Sequence, residues 1–290
     1  MISPNQKALV LGGRSGLLGM ALCSKLREKG LEVIDTPRPG KDDYDPEALG
    51  AFMDDCAPDY VFNTWAYTQV DKAEEEPYEA QRVNAELPAV LSTVASSRNF
   101  KLVHYSTDFI FDGDANSPYT ESDHPKPMSV YGRTKLSGEV ALLSNSPSAN
   151  LLIIRTAWLF GPGKKNFVSV ICGLAKERDR LEIVNDQIGS PTYTPDLAGL
   201  TFSLLKNEAY GIFHVVNSGQ ASWFELAYEA VSLADIDCKI APISSSEYPQ
   251  KAHRPGYSVL STQKFERVAN TDPRHWRQAL KEYVYNDIRH

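Results

Sequence analysis

The sequence predicts an α/β protein: a doubly wound parallel sheet followed by a smaller α/β C-terminal lobe. Three observations lead there. Short apolar runs alternate with helical patterns through the first 160 or so of the 290 residues, the rhythm of βαβ units. The first run ends in a glycine-rich turn that opens a helix, the context in which a backbone closes on a phosphate and the mark of a Rossmann-type sheet. Beyond Gly161 the rhythm loosens into mixed strands, polar loops and helices. We therefore expect residues 1–160 to form a nucleotide-binding domain and 161–290 to form mainly a substrate-binding lobe, with about 181–210 packing back on the first domain. A cleft between the two would take the substrate.

Composition narrows the class. Hydrophobic residues make up 42% of the chain and charged residues 23%, values of a soluble globular enzyme. A net charge of −7 argues against nucleic acid or an anionic membrane as the main partner, while leaving room for a phosphorylated ligand held by local amides and cations. Cys23, Cys56, Cys172 and Cys238 form no close pair, so no disulfide framework and no metal site are expected. The first residues lack the apolar stretch of a signal peptide, and no apolar run approaches the ~18 residues of a membrane span. These features predict a cytoplasmic protein.

In chain order, Lys7–Leu11 reads as a buried strand. It runs into Gly12-Gly13-Arg14-Ser15-Gly16-Leu17-Leu18-Gly19 and a helical pattern through Leu22 and Leu26, closed by Gly30. The spacing Gly13-x-x-Gly16-x-x-Gly19 suits a dinucleotide pyrophosphate lying against the helix N-terminus. A second strand, Glu32–Ile34, delivers Asp35, whose carboxylate suits adenosine ribose hydroxyls and NADH; Arg38 nearby suits a 2′-phosphate and NADPH, so both cofactors stay open. Asp45 before Pro46 predicts a capped helix start. A third strand, Asp59–Asn63, carries Thr64 to Thr68 to the sheet edge, and Val70–Glu76 with its charge run opens a long helical stretch. A fourth, Lys101–Ser106, ends in Thr107-Asp108-Phe109; His104 within it reads as a core residue. Leu151–Thr156 is the fifth, leading into Trp158. Later, Asn166–Lys176 and a helix capped by Thr194 with Pro195 at its first position are expected, then a strand over Ile212–Val216, a helix opening at Ser222 and a last helix around Trp276–Tyr283.

The chemistry centres on Ser129 to Glu139, where Tyr131 and Lys135 lie four residues apart on one helical face. A phenol near pH ~10 is a reluctant proton donor, and a neighbouring ammonium brings it toward the working range. Such a pair is an acid/base device for reducing a ketone, with a hydroxyl at Thr107 to bond the carbonyl oxygen.

The glycine turn, Asn63–Glu74, Ser106–Gly113, Val130–Glu139, Asp186–Thr192 and Arg254-Pro255-x-Tyr257-Ser258 together resemble the extended short-chain dehydrogenase/reductases, and within them the dTDP-4-dehydrorhamnose reductases, over essentially the whole chain. The resemblance implies reduction of the 4-keto group of dTDP-4-dehydro-β-L-rhamnose with NADPH or NADH. It places Gly16, Leu17 and Leu18 in the cofactor turn, with Asp35, Asp42 and Asp43 on the adenosine side. Ala66, Tyr67, Thr68 and Tyr105 would lie along the cofactor. Tyr131 would be the proton donor, Lys135 its partner and ribose anchor, Thr107 the substitute for a serine, and Asp108 and Trp158 contacts of the sugar nucleotide. Thr64-Trp65 replace small residues of the family. Ala21 and Pro195 stand where some members carry magnesium-binding glutamates at a dimer contact, which argues against a metal-bridged dimer and leaves monomer or homodimer. A reductase of another dTDP-4-keto-6-deoxy sugar, or a non-catalytic subunit like the β subunit of methionine adenosyltransferase, are the alternatives.

Overall fold

The computed structural model describes residues 5–40, 42–145 and 150–289. The first half runs β1 (Lys7–Leu11), α1 (Leu17–Glu28), β2 (Glu32–Asp35), α2 (Pro46–Cys56), β3 (Tyr60–Asn63), α3 (Val70–Glu75) and α4 (Pro77–Gln81). A π-helical turn (Arg82–Glu86) joins α4 to α5 (Leu87–Ser96), and β4 (Lys101–Thr107), α6 (Val130–Asn145) and β5 (Leu151–Thr156) follow. The second half contains β6 (Leu159–Phe160), α7 (Phe167–Ala175), β7 (Arg180–Val184), β8 (Ile188–Gly189), β9 (Thr192–Tyr193), α8 (Thr194–Lys206), β10 (Gly211–His214), β11 (Ala221–Ser222), α9 (Trp223–Leu233), β12 (Lys239–Ile243), α10 (Gln263–Ala269) and α11 (Trp276–Tyr283).

Six parallel strands form the central sheet in the order β2-β1-β3-β4-β5-β10. Because side chains alternate between faces, the near-continuous apolar runs of these strands feed two cores. On one face Val10, Phe62, Val103 and Ile154 meet Leu22 and Leu26 of α1, Leu197 and Leu204 of α8 and Phe265 of α10. On the other, Leu9, Val61, Leu102 and Ile153 meet Met53 of α2 and Leu87 and Leu91 of α5. Strand order reverses at β1 and β3, and the carboxyl ends there are the place where open α/β sheets take ligands.

The chain thus returns twice to the sheet from its second half, through α8–β10 and through α10. The remaining elements form their own core around Phe160, Val168, Tyr193, Leu226, Trp276 and Leu280, with β7 and β12 as a separate parallel pair. Among the described residues no helix is long and apolar enough to cross a membrane.

Side-chain caps set several helix starts. The Asp45 carboxylate accepts the Glu47 amide at 3.0 Å, and Asn166–Ser169 and Ser222–Glu225 form reciprocal capping boxes. The expected Thr194 cap is corrected: Tyr193 is the N-cap and Thr194 lies inside the first turn. Pairing of β6 with β9 holds the backbone extended through Tyr193, and the Thr194 hydroxyl is buried without a hydrogen-bond partner. It packs so closely on Gly161 that a Cβ there would sit 2.3 Å from its oxygen.

Candidate active site

At the end of β1 the chain turns through Gly12, whose φ of +87° is a left-handed conformation that glycine tolerates. Gly16 is the N-cap of α1, without a side-chain cap, and no acidic residue lies in the first turn. The amides of Leu17, Leu18 and Gly19 and the positive end of the helix dipole therefore face the sheet edge. Packing demands the three spaced glycines. A Cβ on Gly13 would lie 2.8 Å from the Asp35 Cβ, one on Gly16 2.9 Å from the Gly12 carbonyl, and one on Gly19 2.6 Å from that same carbonyl. The Ser15 side chain is exposed beside this cradle.

Asp35 ends β2, held by Arg14 at 2.9 Å and Arg27 at 2.8 Å, and these two guanidiniums keep its carboxyl below the ordinary range. The three residues line an open cleft of about 510 Å³ with Gly13, Met20 and Ser24. The cations beside Asp35 are thus Arg14 and Arg27; Arg38 is exposed farther along the loop. Asp43 accepts the Gly40 amide at 2.6 Å, while the Asp42 side chain lies outside the described residues.

Trp65 does not intrude on the edge. It is buried among the α2–α5 core residues, its indole N–H donating to the Pro37 carbonyl at 2.8 Å. Ala66, Tyr67 and Thr68 follow as a loop clamped by Asn84, which takes the Tyr67 amide at 2.8 Å and donates to the Tyr67 carbonyl at 3.1 Å and to Thr134 of α6 at 3.1 Å. Asn84 sits in the π-helical turn, a distortion that recurs at functional sites. The Tyr67 phenol turns to Glu76 at 2.7 Å.

Beside β4, Thr107 plays two local parts. Its hydroxyl accepts the Phe109 amide at 3.2 Å, capping the following turn, and donates to Asp108 at 3.0 Å. It also acts on the Tyr131 phenol, opposing the rise that burial gives its pKa, and that phenol's ring packs edge-on against Phe109. Asp108 is almost fully buried and accepts Ser258 at 2.6 Å; burial pushes its carboxyl up to about 6. Tyr131 opens α6, whose first turn is fixed by Glu74 on the Val130 amide at 2.8 Å and Ser129 on the Gly132 amide at 3.1 Å.

Here the sequence reading needs a correction. An ammonium at Lys135 was expected to lower the Tyr131 phenol. Burial instead pushes that phenol up to about 12, opposed by the Thr107 hydroxyl and reinforced by Asp108. Lys135 is buried and turned into the sheet, donating to the Tyr105 carbonyl at 2.6 Å with the His104 ring 3.4 Å away, and burial lowers it to about 8. Tyr105 meets the site through that carbonyl; its phenol donates to Thr201 on the opposite face at 3.1 Å.

Just past β5, Trp158 adopts a left-handed φ of +47°, uncommon for a bulky residue and typical of strain kept at functional positions. Its ring stacks on Trp223 at 3.5 Å, and Gly189 makes room, since a Cβ there would fall 2.5 Å from the indole. Asn84, Ser258 and Trp223 join the site only through the tertiary fold. The Arg-Pro-x-Tyr-Ser run had marked Ser258, whereas Asn84 and Trp223 carry no local signal. Among the described residues no three His, Cys, Asp or Glu side chains gather as a metal site; Ala21 and Pro195 lie on the neighbouring helices α1 and α8.

The relatives fit this edge. The model of the family described as RmlD substrate binding domain matches residues 7–288. A dTDP-4-dehydrorhamnose reductase of Mycolicibacterium smegmatis is 38% identical over 282 residues, 95% of this chain and 84% of that protein. A dTDP-4-keto-6-deoxy-D-glucose reductase of Streptomyces niveus is 35% identical over 271 residues, 93% of this chain and 94% of that one. The crystal structure of a Bacillus anthracis dTDP-4-dehydrorhamnose reductase in complex with NADP superposes with a TM-score of 0.92 at 30% identity, covering 97% of this chain and 99% of that one. With a family model spanning residues 7–288 and relatives 35–38% identical over more than nine-tenths of the chain, the chain belongs to the RmlD substrate binding domain family, which includes the dTDP-4-dehydrorhamnose reductases.

Proposed function

We propose that this protein is an NAD(P)H-dependent oxidoreductase that reduces the 4-keto group of dTDP-4-dehydro-β-L-rhamnose to give dTDP-L-rhamnose, a step of nucleotide-sugar and polysaccharide biosynthesis. The observation that carries this reading is Tyr131, packed on Phe109 next to the Thr107 turn, at the same sheet edge as an uncapped, glycine-lined helix N-terminus. The turn fits a dinucleotide because Gly13, Gly16 and Gly19 let the strand end, the loop and α1 pack too closely for any Cβ, which leaves the helix N-terminus open at the sheet edge. The nicotinamide, when bound, supplies the hydride.

The chain's own residues do the rest. Amides at Leu17 and Leu18 face the pyrophosphate, with Gly13, Ser15, Gly16 and Gly19 shaping the turn. Asp35 takes ribose hydroxyls, Asp42 and Asp43 flank the adenosine, and Ala66, Tyr67, Thr68 and Tyr105 form the cofactor wall. Tyr131 holds the proton that goes to the C4 oxygen, and Thr107 bonds that oxygen as charge builds on it. Lys135 anchors the ribose and recharges Tyr131. Asp108 and Trp158 contact the sugar nucleotide. Residues 1–160 serve mainly the cofactor and 161–290 mainly the substrate, in a cytoplasmic monomer or homodimer.

A second sugar has specific support in the relative named for dTDP-4-keto-6-deoxy-D-glucose. A purely regulatory role is disfavoured by the intact Tyr131, Lys135 and Thr107. The test is to incubate the protein with a panel of dTDP-4-keto-6-deoxy sugars and NADPH or NADH, following nicotinamide absorbance and product identity. Tyr131→Phe should keep fold and cofactor binding while turnover falls ~10²-fold or more. Near-normal turnover in the folded variant removes Tyr131 from the mechanism.

A further inference from the structure

We infer that His104, backed by Asn63, is a positioning residue for Lys135: it fixes the place of the Lys135 nitrogen and favours the free amine formed when that lysine returns a proton to the Tyr131 phenolate. The inference rests on Tyr131 and Lys135 acting as proposed above.

The three side chains form one dry stack. Asn63 and His104 are fully buried and Lys135 is 1% exposed. Asn63 and His104 are direct partners in the β3–β4 register, so their side chains share the α6 face of the sheet. The Asn63 amide has one orientation open to it: its oxygen accepts the Trp65 backbone N–H at 3.1 Å, which leaves its NH₂ to face His104 Nδ1 at 2.9 Å. Nδ1 is then an acceptor, and a neutral imidazole carries its single proton on Nε2. Burial holds this histidine neutral, well below its ordinary range. The Nε2–H therefore points at Lys135 Nζ, 3.4 Å away.

That contact discriminates between the two states of the lysine. An ammonium has three donors and no lone pair, so it meets a donor with a donor; a free amine accepts the Nε2–H. The step balances without another reactant: an N–H bond of the ammonium breaks, the O–H bond of the phenol forms, and ammonium plus phenolate become amine plus phenol. The amine takes its next proton from water after product leaves. Meanwhile the Tyr105 carbonyl at 2.6 Å is the acceptor that solvates the charged form, so both states have one partner each.

Other charged groups on the elements around α6 are engaged elsewhere. Glu139, one turn on, is bidentate with Arg155 of β5 and acts on Lys135 only at a distance, favouring the charged form. Glu74 of α3 holds the Val130 amide and Asp71 holds Arg254. Glu79 of α4 pairs with Arg82 of the π-helical turn, and Glu86 there is exposed. Asp108 is bound by Thr107 and Ser258, and Lys101 lies at the far end of β4.

The experiment starts with the unaltered protein. Nitrogen NMR of ¹⁵N-histidine protein should show His104 neutral, with its proton on Nε2, under conditions where an ordinary histidine is charged; a proton on Nδ1, or an imidazolium under those conditions, overturns the inference. In His104→Leu the Tyr105 carbonyl still solvates the ammonium, so the basic limb of the kcat profile should move up by roughly one pH unit. In the same variant kcat should fall about tenfold, with KM for the sugar little changed. His104→Gln, which offers an N–H near the Nε2 position, should restore most of both. A folded His104→Leu protein that loses melting temperature but keeps its kcat and pH profile shows a packing role alone and overturns the inference. If that variant does not fold, direct titration of the ¹⁵N-labelled Lys135 nitrogen in His104→Gln and parent protein decides: matching values well below the ordinary lysine range support it, and a parent value in that ordinary range overturns it. Full activity in Lys135→Met would instead sink the underlying mechanism while leaving the His104 tautomer as found.

Discussion

The two ends of the sheet hold charge in opposite ways. At the β2 end Asp35 is shared by Arg14 and Arg27, whose side chains are 64% and 53% exposed. Beneath α6 the Glu139 and Arg155 side chains are 1% and 3% exposed and meet through three contacts between 2.8 and 3.2 Å. Exposed pairs contribute ~0–1 kcal/mol because water and salt screen them, so the Asp35 cluster adds little to folding and is free to exchange its partners for a ligand. Buried charges cannot be released, and removing one partner strands the other. The β2 end thus holds charge that solvent can reach and exchange, whereas the region beneath α6 holds its charge fixed.

The largest effect that would sharpen this contrast is at the buried pair. Glu139→Gln should destabilise the protein by about 3–5 kcal/mol, measured by urea unfolding, because Arg155 would be left buried with its charge uncompensated. Arg155 already has one guanidinium nitrogen without a partner, which makes the site intolerant of further loss. A change below ~1 kcal/mol would put this pair in the exposed class and break the comparison.

Next comes the pH dependence from Asp108. Its carboxyl lies up at about 6, above the ordinary value near 4, because burial penalises the anion. Folding therefore gains from Asp108 staying protonated below about pH 4 and loses that gain as pH rises through 6, a change of roughly 2–3 kcal/mol. Asp108→Asn should flatten the stability profile across that window. If parent and variant run parallel from pH 4 to 7, the buried carboxylate is better solvated than its partners Thr107 and Ser258 allow.

Thr107 should follow in size. Thr107→Val removes the hydroxyl proposed to bond the reacting oxygen and should lower kcat about 10²-fold with a small change in KM. It also removes the cap on the Phe109 amide, so melting temperature should fall as well. Thr107→Ser keeps both functions. A Val variant that loses stability and keeps its kcat confines Thr107 to capping.

The smallest effect is expected at the exposed end. Arg14→Ala with Arg27→Ala should lower kcat/KM for NADPH several-fold more than for NADH, since both guanidiniums border the cleft beside Asp35. Asp35→Ala should shift the ratio toward NADPH by a similar factor. Arg38→Ala should leave it in place; a shift there would return the discriminating cation to the loop beyond β2.

Signals that act within a few residues were legible in the chain itself. The apolar runs of β1 to β5, the glycine turn, the Asp45 cap and the helix that carries Tyr131 and Lys135 each depend on local propensity and periodicity, and each stands where the sequence places it. Even the Thr194 cap failed through a neighbour two strands away, because β6 keeps Tyr193 extended. The electrostatics of the site had no such local signal. His104 meets Asn63 across 41 positions, Asn84 meets Thr134 across 50, and Asp108 meets Ser258 across 150.

The sequence by itself determined the fold, the family and the residues able to carry the chemistry, since hydrophobic period and motif spacing are properties of the chain. Only the tertiary structure decided which of those residues touch and which are dry. Desolvation and hydrogen bonding set the protonation of Tyr131, Lys135 and Asp108, and both depend on neighbours brought together by the sheet rather than by sequence.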